Sequence, residues 1–211
     1  MKAEWGDNSR KTYMFLGSSV TYGSASGGVS FVEFIKSREE CCVIKEALSG
    51  TTLVDSGDSS YVRRLKNNLV AKYKDTQIDH LIVQLSTNDA SQNKPLGNVI
   101  ESFSKTAMNT QSIVGAIEHI VAVAKETWGC EVSFYTGTRY ESDLYGKMVE
   151  VLYDVKEKWG IGIIDLWNDE EMNAVSTSDY ARYMSDPIHP TLIGYREWWT
   201  PKFMAHLKQY K

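Results

Sequence analysis

Long apolar runs are missing from this 211-residue sequence. None approaches the roughly 20 residues that cross a bilayer as a helix. The start, Met1 to Lys11, is polar and mixed in charge, with no apolar stretch of secretory-signal type. Cysteine is scarce. Cys41, Cys42 and Cys130 cannot make a disulfide framework, and the adjacent pair suits strand residues better than a bridge. All three read as reduced, buried thiols, the usage expected of a cytoplasmic protein. A basic surplus is also lacking: 23 Lys and Arg face 27 Asp and Glu, for a net charge of −4. The nearest basic cluster, Arg63-Arg64 with Lys66, sits in a helical pattern. That balance argues against a nucleic-acid surface. No linker rich in Pro, Gly or Ser divides the chain, and there is no repeat or low-complexity tract. The length suits one α/β domain, although two small ones would also fit; one domain over residues 1–211 is the expectation.

What is present is an alternation of short apolar runs and helical stripes. Tyr13-Met14-Phe15-Leu16 reads as a buried strand ending at a Gly/Ser/Thr/Gly cluster. Phe31, Val32, Phe34 and Ile35 suit a helix face. Cys41 to Leu48 is a second apolar run, Val62, Leu65 and Leu69 fall at helical spacing, and His80 to Leu85 is a third strand. Ile113, Ile117, Ile120, Val121, Ala124 and Trp128 mark one long helix; Leu144, Met148, Val151, Leu152, Val155 and Trp159 mark another with the same offsets. Val132 to Tyr135 and Ile161 to Leu166 read as strands, and a helix carrying Leu192, Tyr195, Trp199, Phe203 and Leu207 follows Pro190. Ala90 to Thr110 is irregular and polar. It is expected to be a long surface loop near the mouth of the site, with a helix starting inside it. Strand then helix, repeated about five times, predicts a parallel sheet covered on both faces. Ligands of such sheets bind beyond the carboxyl ends of the strands. The clusters at Ser19, Gly50 and Asn88 follow the first, second and third strands.

Acyl transfer needs a nucleophile, a base, an orienter for that base and donors for the oxyanion. Ser19 lies in Gly17-Ser18-Ser19-Val20-Thr21-Tyr22-Gly23, a small-residue turn that is equally compatible with a plain serine-rich turn. Of the four histidines, His80, His119 and His206 read as structural or solvated. His189 lies in Asp186-Pro187-Ile188-His189-Pro190, where two prolines restrict the loop. Asp186, three residues earlier, can accept from the imidazole Nδ1–H and leave Nε2 to take a serine proton. The Ser19 and Gly50 N–H groups and the Asn88 amide are candidate oxyanion donors, although Gly50 also suits a turn and Asn88 a helix cap.

These residues resemble the SGNH (GDSL-type) hydrolase family, whose four blocks carry Ser, Gly, Asn and His. The matching positions are Ser19, Gly50 in Leu48-Ser49-Gly50-Thr51-Thr52, Asn88 in Ser86-Thr87-Asn88-Asp89, and His189 with Asp186. The resemblance implies a three-layer α/β/α sandwich on a flavodoxin-like five-stranded parallel sheet. It also implies ester or thioester hydrolysis through an acyl-serine, without metal or organic cofactor. Two positions depart from the family pattern: Ser18 replaces the usual Asp beside the nucleophile, and Ser86 replaces the usual Gly before the oxyanion Asn. Ser18 brings a second hydroxyl into the turn, and the register with Thr21 and Gly23 favours Ser19.

A small-molecule ester is the expected partner, with neither nucleic acid nor membrane, and the oligomeric state is unreadable. Small acylated carbohydrates are the first expectation; other short esters, lysophospholipids and thioesters stay open. Arg139 follows the fourth strand, where it can meet an anionic or sugar group or simply make a surface ion pair. Of the adjacent Trp198 and Trp199, one is expected in the core and the other at a pocket or interface. Two other classes of function compete. One is a flavodoxin-like phosphate- or flavin-binding module, in which the turn at Ser19 cradles the anion. The other is an inactive SGNH fold that binds a glycan or acyl group.

Overall fold

A computed structural model describes residues 10–210. The polar start, residues 1–9, lies outside the described residues. Five parallel strands form one sheet: β1 (Thr12–Gly17), β2 (Cys42–Ala47), β3 (His80–Gln84), β4 (Glu131–Tyr135) and β5 (Gly162–Ile164), in the order β2-β1-β3-β4-β5. This is the flavodoxin-like order, and the chain changes direction across the sheet between β1 and β3.

Alternation along the strands feeds two cores. Met14, Leu16, Leu81, Val83, Val132 and Phe134 point to one face. There they meet α6 (Ile113–Trp128), α7 (Asp143–Trp159) and the helix that begins as α3 (Tyr61–Arg64), widens into a π-helical stretch at Leu65–Val70 and ends as α4 (Ala71–Tyr73). Tyr13, Phe15, Ile82 and Tyr135 point to the other face, against α2 (Phe31–Arg38) and the C-terminal helix. That helix opens with a π-helical stretch at Gly194–Trp199 and continues as the last long α segment, Thr200–Leu207. Phe31 is central to this second core, stacked on Phe203 at 3.8 Å between ring centres and edge-on to Tyr135 at 5.2 Å. Trp199 is fully buried beside them, while Trp198 is half-buried and stacks on Tyr183. Both long helices carry the stripes their spacing predicts. Ser112 and Ser142 cap their N-termini by accepting from Gly115 and Tyr145 N–H groups.

Three expectations need correction. The segment after α5 (Thr87–Ser91) is indeed irregular, but it contains only a 3₁₀ turn, Lys105–Ala107, and the long helix starts after it at Ile113. Nor does the segment stay at the mouth of the site. Phe103 packs on Trp159 and Lys105 pairs with Glu126, both at the C-terminal ends of α7 and α6, so it runs down to the opposite edge of the sheet. Buried Glu118 fastens it there, accepting from the Lys158 ammonium, the Trp159 indole and, at 3.4 Å, the Ile100 N–H. Among the cysteines only Cys130 is buried, where burial pushes its thiol up to about 11. Cys41 and Cys42 are half-buried, and all three are free. Two short helices, α8 (Glu170–Asn173) and α9 (Thr177–Tyr183), stand between β5 and the His189 loop. Among the described residues no helix is long and apolar enough to cross a membrane.

Candidate active site

The turn after β1 is built by close approach. A Cβ on Gly17 would lie 1.8 Å from Thr21 Oγ1, so only glycine fits. Gln84, the last residue of β3 and fully buried, crosses to this turn. Its Oε1 accepts from the Ser18 N–H at 2.9 Å, the Thr21 hydroxyl at 3.0 Å and the Thr21 N–H at 3.3 Å. Tyr135 OH lies 2.6 Å from the same Thr21 hydroxyl. Two of the turn's N–H groups are thereby committed to a side chain within the protein. Those of Tyr22 and Gly23 close the helical turn α1 (Ser19–Tyr22) on the Ser18 and Ser19 carbonyls. A phosphate cradle would need such donors free.

The turn delivers Ser19 to the crevice beside the β1–β3 switch point. Its Oγ lies 2.8 Å from His189 Nε2. Ser18, by contrast, is completely buried, and among the described residues its hydroxyl has no hydrogen-bond partner. His189 Nδ1 lies 2.8 and 3.0 Å from the two Asp186 carboxylate oxygens. Asp186 Oδ1 also accepts from the Ile188 and His189 N–H groups, at 2.8 and 2.9 Å, so one carboxylate shapes the loop and orients the ring. Burial alone would raise the Asp186 carboxyl. The two backbone donors and the imidazole outweigh it and hold the carboxyl below the usual range. A Ser185 N–H to His189 O bond and an antiparallel bridge between Met184 and Pro190 close the loop at its base.

Gly50 and Asn88 follow the ends of β2 and β3, and the Gly50 loop is tied to the turn after β1 by the Leu48 N–H on Gly17 O. Gly50 is exposed, with φ +80°, and a Cβ there would meet nothing within 4 Å. Asn88 Nδ2 donates to Thr51 O at 2.9 Å, which leaves the second hydrogen of that amide for another acceptor. Sequence reasoning left three participants without a role. Gln84 fixes the turn that carries Ser19. Asp89 is fully buried and accepts from Leu53 and Val54 N–H groups at 2.7 and 3.0 Å, which ties the Gly50 loop to α5; burial raises its carboxyl despite those donors. Arg64, read as part of a short basic cluster in a helical pattern, is 2% exposed and lies beneath the same loop. The one sequence signal for Gln84 was a polar side chain in the fully apolar run His80 to Leu85.

Arg139 is exposed and stands apart from this cluster. Its N–H donates to Asn173 Oδ1 at 2.8 Å and its Nε to Trp167 O at 3.0 Å. The alternative expectation, a surface ion pair, is replaced by a carbonyl and an amide. With Met172, Tyr180 and Trp198 it lines a cavity of about 330 Å³ whose Thr138 wall is shared with a nook bounded by Val20, Leu85, Thr87, Pro187 and Ile188. That nook holds about 10 Å³, room for one small group. The remaining histidines sit elsewhere. His80 and His206 share the Ser133 hydroxyl at 2.7 and 2.9 Å, and His119 Nδ1 lies 3.1 Å from Lys105 O.

Residues 15–197 match the model of the GDSL-like lipase/acylhydrolase family. Solved structures similar to the chain include a protein from Lactobacillus plantarum, with 17% identity, TM-score 0.76, and coverage of 97% of this chain and 100% of that one. A protein from Bacteroides ovatus described as a GDSL-like lipase is 14% identical, with TM-score 0.65 and coverage of 95% and 99%. The acetylxylan esterase Axe2 from Geobacillus stearothermophilus is 14% identical, with TM-score 0.63 and coverage of 93% and 94%. No curated protein matches the chain.

Proposed function

The chain belongs to the GDSL-like lipase/acylhydrolase family and is a hydrolase of that kind, and from this premise we propose that it cleaves small acyl esters with Ser19 as nucleophile. One observation carries the reading: the 2.8 Å approach of Ser19 Oγ to an imidazole whose other nitrogen faces a carboxylate. His189 Nε2 takes the Ser19 proton as Oγ bonds to the acyl carbon. The Ser19 and Gly50 N–H groups and the Asn88 amide receive the negative oxygen. His189 then gives its proton to the departing alkoxide as the ester C–O bond breaks. Water repeats the cycle on the acyl-serine, with His189 again as base, and releases the carboxylic acid and free Ser19. Asp186 stays ionised and keeps Nε2 as the proton acceptor.

For the substrate we propose an acetylated or short-acylated carbohydrate. The methyl-sized nook beside Val20 and Ile188 suits a short acyl group. The larger cavity at Arg139, Tyr180 and Trp198 offers a guanidinium and aromatic walls to the sugar. One structural neighbour is an acetylxylan esterase, in keeping with this choice.

Labelling with a fluorophosphonate followed by peptide mapping tests the nucleophile. The expected result is one adduct on Ser19, lost in Ser19→Ala. A folded, unlabelled wild type would overturn the reading and favour a binding protein on the same fold.

A further inference from the structure

Arg64 is buried, and its guanidinium is saturated. Nε donates to Ser59 O at 2.8 Å. Nη1 reaches Glu46 O and Oε1, both at 3.2 Å. Nη2 reaches Gly17 O at 2.8 Å and Thr51 Oγ1 at 2.9 Å. A side chain needed only to cover the helix would not sink a charge here, since burying one is costly unless it is fully paired. The acceptors are also not scattered. Gly17 precedes the Ser18-Ser19 turn, Glu46 is near the end of β2, and Thr51 follows Gly50.

The same hydrogen bonds continue into the oxyanion donors. Thr51 Oγ1 donates to Leu48 O at 2.7 Å and so closes the turn that contains Gly50, while Leu48 N–H returns to Gly17 O at 3.2 Å. The Thr51 carbonyl accepts from the Asn88 amide at 2.9 Å. Gly50 is exposed, has φ +80°, and has no heavy atom within 4 Å of where a Cβ would be, so no side-chain packing restrains it. Its direction has to come from anchors on either side, and Thr51 is the nearer one.

We propose that Arg64 is a positioning residue of the oxyanion hole: through Gly17 and Thr51 it sets the directions of the Ser19 and Gly50 N–H groups and of the Asn88 amide. This rests on the reading of Ser19 as nucleophile. Lysine cannot substitute, because one ammonium lacks the planar fork that holds Nη2 on Gly17 O and Thr51 Oγ1 while Nε and Nη1 meet Ser59 O and Glu46.

Thr51→Val removes one arm of the staple with little change of volume, Thr51→Ser restores it, and Arg64→Lys keeps the charge without the fork. Steady-state kinetics on an aryl acetate, thermal melting, and Ser19 labelling of the wild type are measured together. The expected result for Thr51→Val is a kcat about 10- to 100-fold lower with KM within about threefold, as for a weakened transition-state donor. The acid limb of its pH profile keeps the wild-type midpoint, and Thr51→Ser recovers kcat to within about threefold. Arg64→Lys, where it folds, follows Thr51→Val. A folded Thr51→Val with wild-type kcat, or one whose loss lies in KM, overturns the proposal while the labelled wild type leaves Ser19 standing. An unlabelled wild type overturns both.

Discussion

Ser19 and His189 lie 170 residues apart in the chain and 2.8 Å apart in space. The sheet makes that contact. β1 ends at Gly17 and presents Ser19 above the carboxyl edge, and after β5 the two short helices α8 and α9 carry the chain back over the same edge to the Asp186–Pro190 loop. His189 is oriented by its own loop, because Asp186 binds two backbone N–H groups as well as the imidazole.

This pairing makes activity sensitive to acid. Only neutral His189 can accept the Ser19 proton, so kcat/KM is expected to fall about tenfold per pH unit on the acid side. Asp186 does not set this limb. Its carboxyl is held below the usual range, so it keeps its charge below the pH at which an ordinary carboxylate is protonated. By linkage, any stability it lends is present above the ordinary carboxylate range and is lost only as pH falls through its depressed value. His189→Ala is expected to lower kcat at least about 1,000-fold, and Asp186→Asn about 100-fold or more. A rate flat between about pH 5 and 8 would remove His189 from the role of base.

The Asn88 amide has a partner for one hydrogen and, among the described residues, none for the other, so its contribution is testable apart from folding. Asn88→Ala is expected to lower kcat about 100- to 1,000-fold with KM nearly unchanged, the signature of a donor that acts on the developing oxyanion. Thermal melting of the same variant measures what the Thr51 bond adds to stability. A loss confined to KM would place Asn88 in ground-state binding instead.

Arg139 tests the substrate assignment. Arg139→Ala is expected to raise KM for an acetylated oligosaccharide about fivefold, about 1 kcal/mol of polar contact, and to leave aryl acetate kinetics unchanged. Equal effects on both substrates would mean that the cavity at Trp198 supports the fold rather than the sugar.

The parts of the molecule that were readable in advance are those with local causes. Strands buried on both faces appear as apolar runs such as Tyr13 to Leu16, and the stripes of α6 and α7 follow from helical period alone. The Ser19, Gly50 and Asn88 clusters stand out because each follows an apolar run, and His189 because two prolines and Asp186 frame it; the structure brings Ser19, His189 and Asp186 within hydrogen-bond distance. What stayed hidden depends on distant partners. Arg64 looks like one member of a short basic cluster in a helical pattern until Gly17, 47 residues away, is seen accepting from it. Gln84 serves Ser18 across 66 residues. The path of the segment after α5 is set by Glu118 and Lys158, neither of which lies within it. The short helices α8 and α9 carry no stripe long enough to announce them.

The last prediction concerns stability at the opposite edge of the sheet. His80 is 1% exposed; its Nε2 meets Ser133 Oγ, and its Nδ1 has no partner among the described residues. Burial first, and then His206, push its imidazole down to about 3, although Asp79 pulls the other way. His206, on the same Ser133 hydroxyl, is lowered by burial and by Lys156. The native state therefore keeps His80 neutral where the unfolded chain protonates it. Between the ordinary histidine range and about pH 3 the unfolded state binds more protons, so stability is lost as pH is lowered, by up to about 1.4 kcal/mol per pH unit from this one group. Urea unfolding from pH 7 to pH 4 is expected to show that slope, and His80→Gln, which cannot titrate, should flatten it while leaving the smaller His206 contribution. An unchanged slope in His80→Gln would mean that His80 is already charged in the folded protein, with Ser133 and Asp79 overcoming its burial.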